Sequence, residues 1–318
     1  MVTASTHPPV CVLGLGLIGG SLLRAVVRQG RRAFGYNRSE AGVAAARDDG
    51  FDADTDLAAV LARAADSDAL IVIAVPVTTL DDLLPVIAAT APDCLLTDVV
   101  SVKGPVADAV ARLHPTARYI GGHPMAGTSQ SGWAATDPDL FNDAMWMVTT
   151  EDDTDPDDWR AVAELALDCG AQVVPAANDA HDRAVAAISH LPHLTANATA
   201  AVGAGESALA LRLAAGSFRD GTRVAGTAPA LQQAMLEANQ IALLNTLSET
   251  IDRLVAARDA LRDTGSVAVI VDDGHRARLA YEQVASAPAP AIADVDPGAP
   301  GWAQELRRQA HLGHTWQR

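Results

Sequence analysis

Three short segments combine histidine, arginine and glycine in patterns that could move a proton and bind a charged substrate. His123 lies in the segment GGHPMAG, and His190 and His193 lie in SHLPH. Arg219 and Arg223 lie in a glycine-punctuated turn, GSFRDGTR. Histidine suits proton transfer because its ordinary pKa lies near neutral pH, and the arginine guanidinium matches a carboxylate bidentately. Taken singly, each of these residues is more often structural than catalytic.

A metal centre is not expected from the same residues. His190 and His193 straddle Pro192 and have no cysteine or clear carboxylate partner at ligand spacing. The three cysteines form no CxxC pair, so neither a zinc knuckle nor a disulfide framework is predicted, as is typical of a reducing cytoplasm. They are Cys11, Cys94 and Cys169.

A glycine loop near the N-terminus predicts a dinucleotide site. Gly14, Gly16 and Gly19 fit the GxGxxG fingerprint, and the loop follows an apolar strand and opens a helix. Such glycines permit a tight turn, let the backbone approach the pyrophosphate and let the helix pack on the strand. The helix N-terminus, including Leu17 and Ile18, supplies N–H groups for the phosphates. A glycine-rich turn without a ligand is the alternative.

The end of the second strand favours NADP over NAD as the cofactor. An NAD site usually places a carboxylate there for the ribose 2′-hydroxyl. This chain has Asn37, Arg38 and Ser39 instead. Arg38 could receive a 2′-phosphate, although it could also be a solvated turn residue. Val75 and Pro76, where a later strand ends, are further expected cofactor contacts.

The elements that must position these residues alternate between strands and helices in the first half of the chain. Near-continuous apolar strands between helices predict a parallel sheet covered on both faces, an α/β Rossmann-type domain over residues 1–176. A helix over Pro156–Cys169 and a strand over Gln172–Val174 are expected to complete it. Earlier helices are predicted over Ser21–Gln29 and Pro105–Leu113. The earlier strand-like runs begin at Val10, Ala33, Ala69, Cys94, Arg118 and Met145.

Beyond residue 176 the pattern is helical. An all-α domain is predicted over 177–285, and a Pro/Ala-rich linker and tail over 286–318. An apolar stripe recurs every three or four residues along a long predicted helix. It could form an intrachain core or a dimer interface. Its members are Leu231, Met235, Ala238, Ile241, Leu244, Leu247, Ile251 and Leu254.

Composition limits the classes of function. The chain has 318 residues, which favours two domains, and no apolar run long enough for a membrane helix. Its formal net charge of −16 disfavours nucleic acid and anionic membranes as partners, so a bound anion needs a local cluster of donors. The polar N-terminus lacks a signal-peptide pattern, and a cytoplasmic location is expected.

The order of these motifs resembles that of the prephenate/arogenate dehydrogenase family of tyrosine biosynthesis. The matching segments are VLGLGLIGGS, LTDVVSVK, GGHPMAG, HD…SHLPH and AAGSFRDGTRVA. The resemblance implies an NAD(P)-dependent dehydrogenase that oxidises the C4 hydroxyl of a cyclohexadienyl substrate, prephenate or arogenate, as CO2 leaves. It also implies a homodimer built through an all-α helical dimerisation domain.

The resemblance implies a role for each matching residue. His123 accepts the hydroxyl proton, and Ser101 orients His123 and the C4 oxygen of the substrate. Arg223 anchors a substrate carboxylate. Independently of the resemblance, an acidic protein that binds a dianion needs local cations, and Arg219 is the candidate second cation beside Arg223. His193 contacts the substrate near its side chain.

Two departures from the family pattern leave the choice between prephenate and arogenate open. Thr128-Ser129 stands where many relatives have an acidic residue after the threonine, and Gln232 stands near where many have tryptophan. Ser129 remains an expected substrate contact. A β-hydroxyacid dehydrogenase is a rival, but it typically needs a lysine in its helical domain, and Lys103 is the only lysine here. A non-catalytic NADP-sensing protein is the rival from another class, and it would need neither the histidine nor the arginine motif.

Overall fold

A computed structural model of the chain describes residues 7–128 and 130–317. No helix among them is long and apolar enough to cross a membrane. They divide into two compact units. The first contains the described residues of Met1–Asp182, Thr227–Ala238 and Ile292–Arg318, and the second contains Arg183–Gly226 and Asn239–Ala291.

The first unit is built around a parallel sheet of six strands. They are β1 (Val10–Leu13), β2 (Ala33–Tyr36), β3 (Ala53–Asp54), β4 (Leu70–Ile73), β5 (Leu96–Asp98) and β6 (Tyr119–Ile120). Their order across the sheet is β3-β2-β1-β4-β5-β6, and Val12 of β1 pairs with Gly35 on one side and Val72 on the other. This is the strand order of the doubly wound dinucleotide-binding fold, so the predicted Rossmann-type domain is confirmed.

Helices cover both faces of this sheet. They are α1 (Leu17–Arg28), α2 (Glu40–Asp48), α3 (Leu57–Asp66), α4 (Leu80–Thr90), α5 (Gly104–Leu113) and α6 (Pro156–Asp168). Within β1, Val10 and Val12 join one apolar core with α1 and α6, whereas Cys11 and Leu13 join the other with α3, α4 and α5. Burial on both faces explains why the strand is a continuous apolar run.

A second sheet of three strands belongs to the same unit. Its strands are β7 (Gly122–Pro124), β8 (Met145–Thr149) and β9 (Gln172–Ala176). β7 pairs antiparallel with β8, and β8 pairs parallel with β9. The sequence pattern predicted β8 as part of a single parallel sheet and did not predict β7 or β3 as separate strands.

The helices of the second half follow in close succession. They are α7 (Asn178–Val185), α8 (Leu191–Glu206), α9 (Ala208–Leu213), α10 (Gly216–Thr222), α11 (Pro229–Ala238), α12 (Gln240–Thr264) and α13 (Ala268–Ala285). The second unit is helical in its described residues, as predicted. The division between the units falls within α7, and α11 belongs to the first unit.

The SHLPH segment lies within continuous helical structure. Ala186–His190 forms a π-helical turn that continues directly into α8, where Pro192 lies in the first turn and needs no N–H partner. The turn buries His190 completely, and Asn239 Nδ2 donates to His190 Nδ1 over 3.0 Å. These contacts give His190 a structural role in the second unit.

The apolar stripe is divided by the structure and is exposed. Asn239 separates α11 from α12, so the predicted single helix is two. On α12, Ile241 is 81% exposed and Leu244 is 59% exposed. Such exposure is not that of an intrachain core.

The C-terminal segment is folded and is not the linker and tail predicted from its composition. Its helix α14 (Trp302–His311) buries Trp302 and Leu306 in the core of the first unit. The Trp302 ring meets the Trp159 ring edge-on, with centroids 5.7 Å apart, and Trp316 N–H donates to the Val173 carbonyl. The Pro/Ala/Gly-rich composition of the stretch before this helix predicted a linker, so the short amphipathic helix was not predicted.

Candidate active site

The glycine loop joins β1 to α1, and its geometry explains each glycine. Gly14 has a φ of +108°, and a β-carbon there would lie 2.5 Å from the Ala74 carbonyl oxygen. A β-carbon on Gly19 would lie 1.9 Å from the Gly14 carbonyl oxygen, because helix and strand approach closely here. A β-carbon on Gly16 would meet no described atom within 4 Å, which leaves space for a phosphate. The loop therefore fits a dinucleotide.

The first turn of α1 supports the same conclusion. Within the described part of the chain, α1 begins at Leu17 with no side-chain N-cap and no acidic residue in its first turn. Leu17 and Ile18 are half-buried there. The N–H groups of this turn are therefore available to an anion. Val75 packs against the loop, since its Cγ1 lies 2.8 Å from a β-carbon built on Gly14, and Pro76 follows on the surface.

The three residues after β2 have different local roles. Asn37 N–H donates to the Asp54 carbonyl, which fixes the end of β2 beside β3. Ser39 caps α2, because its Oγ accepts a hydrogen bond from Gly42 N–H over 3.2 Å. Arg38 is exposed, and its guanidinium makes no hydrogen bond or ion pair with residues 7–128 or 130–317. This strand end therefore presents an available cation.

His123 lies on β7 in the first unit and is held by a second histidine. Its side chain is buried, with 9% of the residue exposed. His123 Nδ1 lies 2.8 Å from His181 Nε2, and the two rings meet edge-on at 81°. His181 Nδ1 lies 2.9 Å from Asp182 Oδ1. The three side chains form a hydrogen-bonded series that we call the His123–His181–Asp182 chain.

Asp182 is held as an anion at the start of α5. Its Oδ1 accepts from Lys103 N–H and its Oδ2 from Gly104 N–H, each over 2.8 Å. Burial opposes ionisation, but the hydrogen bonds from His181 and these amides outweigh it and lower the pKa of Asp182. Burial, with a smaller effect of the Lys103 charge, lowers the pKa of His181 despite the neighbouring Asp182. Near neutral pH, Asp182 is therefore charged and His181 is neutral.

Lys103 fixes the loop between β5 and α5 against β7. Its ammonium pairs with Asp98 and donates to the Gly122 carbonyl over 2.5 Å, with no solvent exposure. Tyr119 Oη donates to the other Asp98 oxygen over 2.7 Å. Burial lowers the pKa of Lys103 against the opposing effect of Asp98. The single lysine of the chain is thus part of the scaffold beside His123.

Ser101 lies in the same loop, between Asp98 and Lys103, and is half-buried. Its hydroxyl makes no hydrogen bond with another described side chain or backbone group, so it is available to a ligand. Ser129, the additional substrate contact expected from the sequence, lies outside the described residues.

The second unit contains the other expected substrate residues. His193 is half-buried in α8, and burial, followed by the positive charge of Arg223, lowers its pKa. His193 and Arg223 therefore lie within electrostatic reach of each other. Arg223 follows α10 and is exposed. Arg219 is also exposed, and its Nε lies 3.4 Å from Asp220 Oδ1.

Sequence reasoning assigned no role to His181, Asp182 or Asp98. The HD pair was visible as a motif, and a histidine beside an aspartate after a βα domain could have been tested as a partner for His123. Its 58-residue separation from His123 gives no local signal. Among the described residues, no group of three His, Cys, Asp or Glu side chains could hold a metal ion.

The glycine loop of this Rossmann domain fits a dinucleotide, and a buried histidine lies on its second sheet. Together these features are typical of the nucleotide-dependent oxidoreductases. Comparisons with known proteins are more specific. The family model described as "Prephenate dehydrogenase, nucleotide-binding domain" matches residues 22–175, and "Prephenate dehydrogenase, dimerization domain" matches residues 177–267. The chain therefore belongs to the prephenate dehydrogenase family, and the sequence-based family prediction is confirmed.

Individual relatives agree with this assignment. The prephenate dehydrogenase of Bacillus subtilis is 33% identical over 251 residues, which cover 76% of this chain and 67% of that protein. A Corynebacterium glutamicum crystal structure with the provisional name prephenate dehydrogenase is 46% identical, with a TM-score of 0.92 and 98% of each chain covered. The arogenate dehydrogenase of Synechocystis is 29% identical, with a TM-score of 0.71, covering 86% of this chain and 99% of that one. The predicted NAD(P)-dependent dehydrogenase class is confirmed.

Proposed function

We propose that this chain oxidises prephenate to 4-hydroxyphenylpyruvate, with loss of CO2 and reduction of NAD(P). The observation that carries the proposal is His123, a buried histidine of the nucleotide-binding unit whose Nδ1 is held by His181 at 2.8 Å. Such a histidine can take a hydroxyl proton. The B. subtilis relative supports prephenate as the substrate.

The residues of the first unit suit a proton transfer coupled to oxidation. His123 takes the proton of the substrate's C4 hydroxyl, and the half-buried Ser101 hydroxyl orients that oxygen. When bound, the nicotinamide supplies the acceptor for the hydride from C4. The bond to the ring carboxylate then breaks, CO2 leaves, and its electron pair completes the aromatic ring. His123 returns its proton to the phenolate oxygen, so no net proton is consumed.

The cations of the second unit suit the substrate's carboxylates. Arg223 is our proposed carboxylate anchor, because its exposed guanidinium offers a planar fork of donors. His193 is the proposed second contact, because it lies close enough to Arg223 for that positive charge to lower its pKa. Arg219 is a weaker candidate, since Asp220 already neighbours its guanidinium. Ser129 is proposed on the family resemblance alone.

Arogenate is the second candidate substrate. The Synechocystis arogenate dehydrogenase matches this chain at 29% identity over 86% of its length. The two substrates differ only in a pyruvyl or alanyl side chain. Thr128-Ser129, where many relatives place an acidic residue, offers no carboxylate for the ammonium of an alanyl side chain, which favours prephenate.

We propose NADP as the preferred cofactor. The support is the exposed Arg38 guanidinium, which has no partner among the described residues and follows a strand end without a carboxylate. A 2′-phosphate would supply the missing counter-ion. Asn37 and the Ser39 hydroxyl lie beside it as further donors.

We also propose that the protein is a homodimer formed through its helical unit. The matched dimerization-domain model covers residues 177–267. On α12 and α13, several large apolar side chains are more than half exposed in the single chain. A second copy would cover them. They include Ile241, Leu244, Leu254, Val269, Tyr281 and Val284.

One assay tests the proposed function. Purified protein is given NADP or NAD with prephenate or arogenate, and reduced nicotinamide is followed by absorbance. We expect turnover with prephenate and its collapse in His123→Asn, with the Kd for the cofactor unchanged. Turnover with arogenate alone would select the second candidate. No turnover with either substrate would favour a non-catalytic nucleotide-binding role.

A further inference from the structure

We propose that His181 and Asp182 are positioning residues that fix the tautomer of His123, so that Nε2 is the nitrogen that accepts the substrate proton. The inference rests on the proposed role of His123 as the base. It concerns two residues to which the sequence and the family comparison assign no role.

An ionised Asp182 has two oxygens that can only accept hydrogen bonds. Lys103 N–H and Gly104 N–H occupy its two oxygens at 2.8 Å each. Both amides belong to the N-terminal end of α5, where the helix dipole also favours an anion. A protonated Asp182 would have to place its proton against one of these donors. The local structure therefore selects the carboxylate.

The ionised Asp182 determines the protonation of His181. The short contact from Asp182 Oδ1 to His181 Nδ1 requires a hydrogen on Nδ1, because two lone pairs would otherwise face each other at 2.9 Å. A neutral imidazole carries only one hydrogen, so Nε2 of His181 has a lone pair. The buried setting and the nearby Lys103 ammonium both disfavour a second proton.

The neutral His181 in turn determines the tautomer of His123. His123 Nδ1 lies 2.8 Å from the His181 Nε2 lone pair and must carry the hydrogen. The lone pair of His123 is therefore on Nε2, the nitrogen remote from this series. When Nε2 takes a proton, the resulting imidazolium is stabilised by the Asp182 charge through His181. Asp–His pairs that orient a catalytic imidazole act by the same principle.

Other titratable groups surround the series and bear on any pH profile. Lys103 faces it from the start of α5, Asp98 from the end of β5, and Tyr119 from β6. Lys103 and Asp98 neutralise each other within hydrogen-bond contact. They are unchanged in the variants below, so their contribution is common to all measurements.

The test compares His181→Phe with the conservative variant His181→Gln. Phenylalanine fills the volume but cannot accept from His123, whereas the glutamine amide can accept from His123 and donate to Asp182. We expect kcat to fall about 100-fold in His181→Phe and less than about 10-fold in His181→Gln. KM for prephenate and Kd for NADP should change little. The acid limb of the kcat/KM profile should move to lower pH in His181→Phe.

A second measurement uses the unmodified protein. The ¹⁵N shifts of its labelled histidines, assigned by His123→Asn and His181→Gln, report which ring nitrogen carries the hydrogen. We expect Nδ1–H for both. An Nε2–H tautomer for His123 overturns the inference even if His181→Phe fails to fold.

The outcomes separate this inference from the proposed function. If His123→Asn is inactive but His181→Phe keeps the wild-type kcat and acid limb, only the positioning role is wrong. If His181→Phe and His181→Gln lose activity equally, His181 is not acting as a hydrogen-bond acceptor, and the inference also fails. If His123→Asn retains turnover, the assignment of the base itself is wrong.

Discussion

The Lys103 ammonium and the Asp98 carboxylate form an ion pair from which water is fully excluded, since both side chains are 0% exposed. The same ammonium donates to the carbonyl of Gly122, the residue before His123. The pair therefore ties the end of β5 to the strand that positions the proposed base. A buried ion pair is weak evidence for stability, but removing one partner leaves a charge in a low-dielectric interior.

Replacing Lys103 with methionine should destabilise the fold severely. We expect Lys103→Met to lower the free energy of unfolding by about 3–5 kcal/mol, measured by urea denaturation, because Asp98 loses its buried counter-ion. Arg112→Met is the matched control, since Arg112 pairs with Asp81 on the surface. It should lower the free energy of unfolding by less than about 1 kcal/mol. Equal effects of the two variants would contradict the assigned scaffold role.

Substitutions at two glycines of the loop should have different effects, one on stability and the other on nucleotide binding. A β-carbon on Gly19 would clash with the backbone, so Gly19→Ala should destabilise the protein by several kcal/mol, on the order of the largest single-residue effects. A β-carbon on Gly16 meets no described atom, so Gly16→Ala should fold normally. It should nevertheless weaken NADP binding about 10-fold or more, because the methyl group enters the phosphate space. Normal NADP affinity in a folded Gly16→Ala would place the pyrophosphate elsewhere.

Arg38→Ala should weaken the binding of NADP selectively. The lost guanidinium–phosphate contact should raise the Kd for NADP about 10- to 100-fold, while the Kd for NAD changes far less. Titration calorimetry at two salt concentrations would measure both constants. Arg32→Ala, an exposed arginine just before the opposite end of β2, is the control. Similar losses of affinity for both cofactors would show that Arg38 is a solvated turn residue that does not bind the 2′-phosphate.

Stability should fall in mildly acidic solution because of His181. Burial is the main reason that its pKa lies below the usual value of about 6.5, so the unfolded chain binds the proton more readily. The free energy of unfolding should therefore decrease as the pH drops from about 7 to 5. His181→Gln should flatten that decrease in urea titrations across the range. An unchanged slope would show that other groups dominate it.

The contribution of Asp182 to the free energy of unfolding changes in a separate, more acidic pH range. Because its folded pKa is lowered, its stabilising contribution is complete above the unfolded value of about 3.9 and is lost as the pH falls through the folded pKa. The His181 and Asp182 contributions can therefore be resolved in one titration series.

A charge on the α12 stripe should break the proposed dimer. Light scattering should give twice the 32.9 kDa chain mass for the wild type and one chain mass for Leu244→Asp. Burying an uncompensated carboxylate in an apolar interface opposes association. Leu312→Asp is the control, because Leu312 is 65% exposed but belongs to the first unit. A wild-type mass of one chain would exclude the homodimer.

The sequence by itself determined the features that local chemistry encodes. The glycine spacing of Gly14–Gly19 specifies a turn and a close helix–strand approach, and continuous apolar strands specify a sheet buried on both faces. The ordered motifs identified the family and supplied His123, Ser101 and Arg223 as proposed site residues. Each of these signals depends on residues that are close together in the sequence, so it can be recognised without knowledge of the fold.

Tertiary structure alone decided the partners of those residues. His123 meets His181 only because β7 and α7 are brought together, and Lys103 meets Asp98 in a buried loop that composition does not reveal. The apolar period of α12 is the same for a core and for an interface, and only the folded chain shows that Ile241 and Leu244 are exposed. The C-terminal segment joined the core through Trp302 and Trp316, because buried aromatic area outweighs the proline and glycine around it.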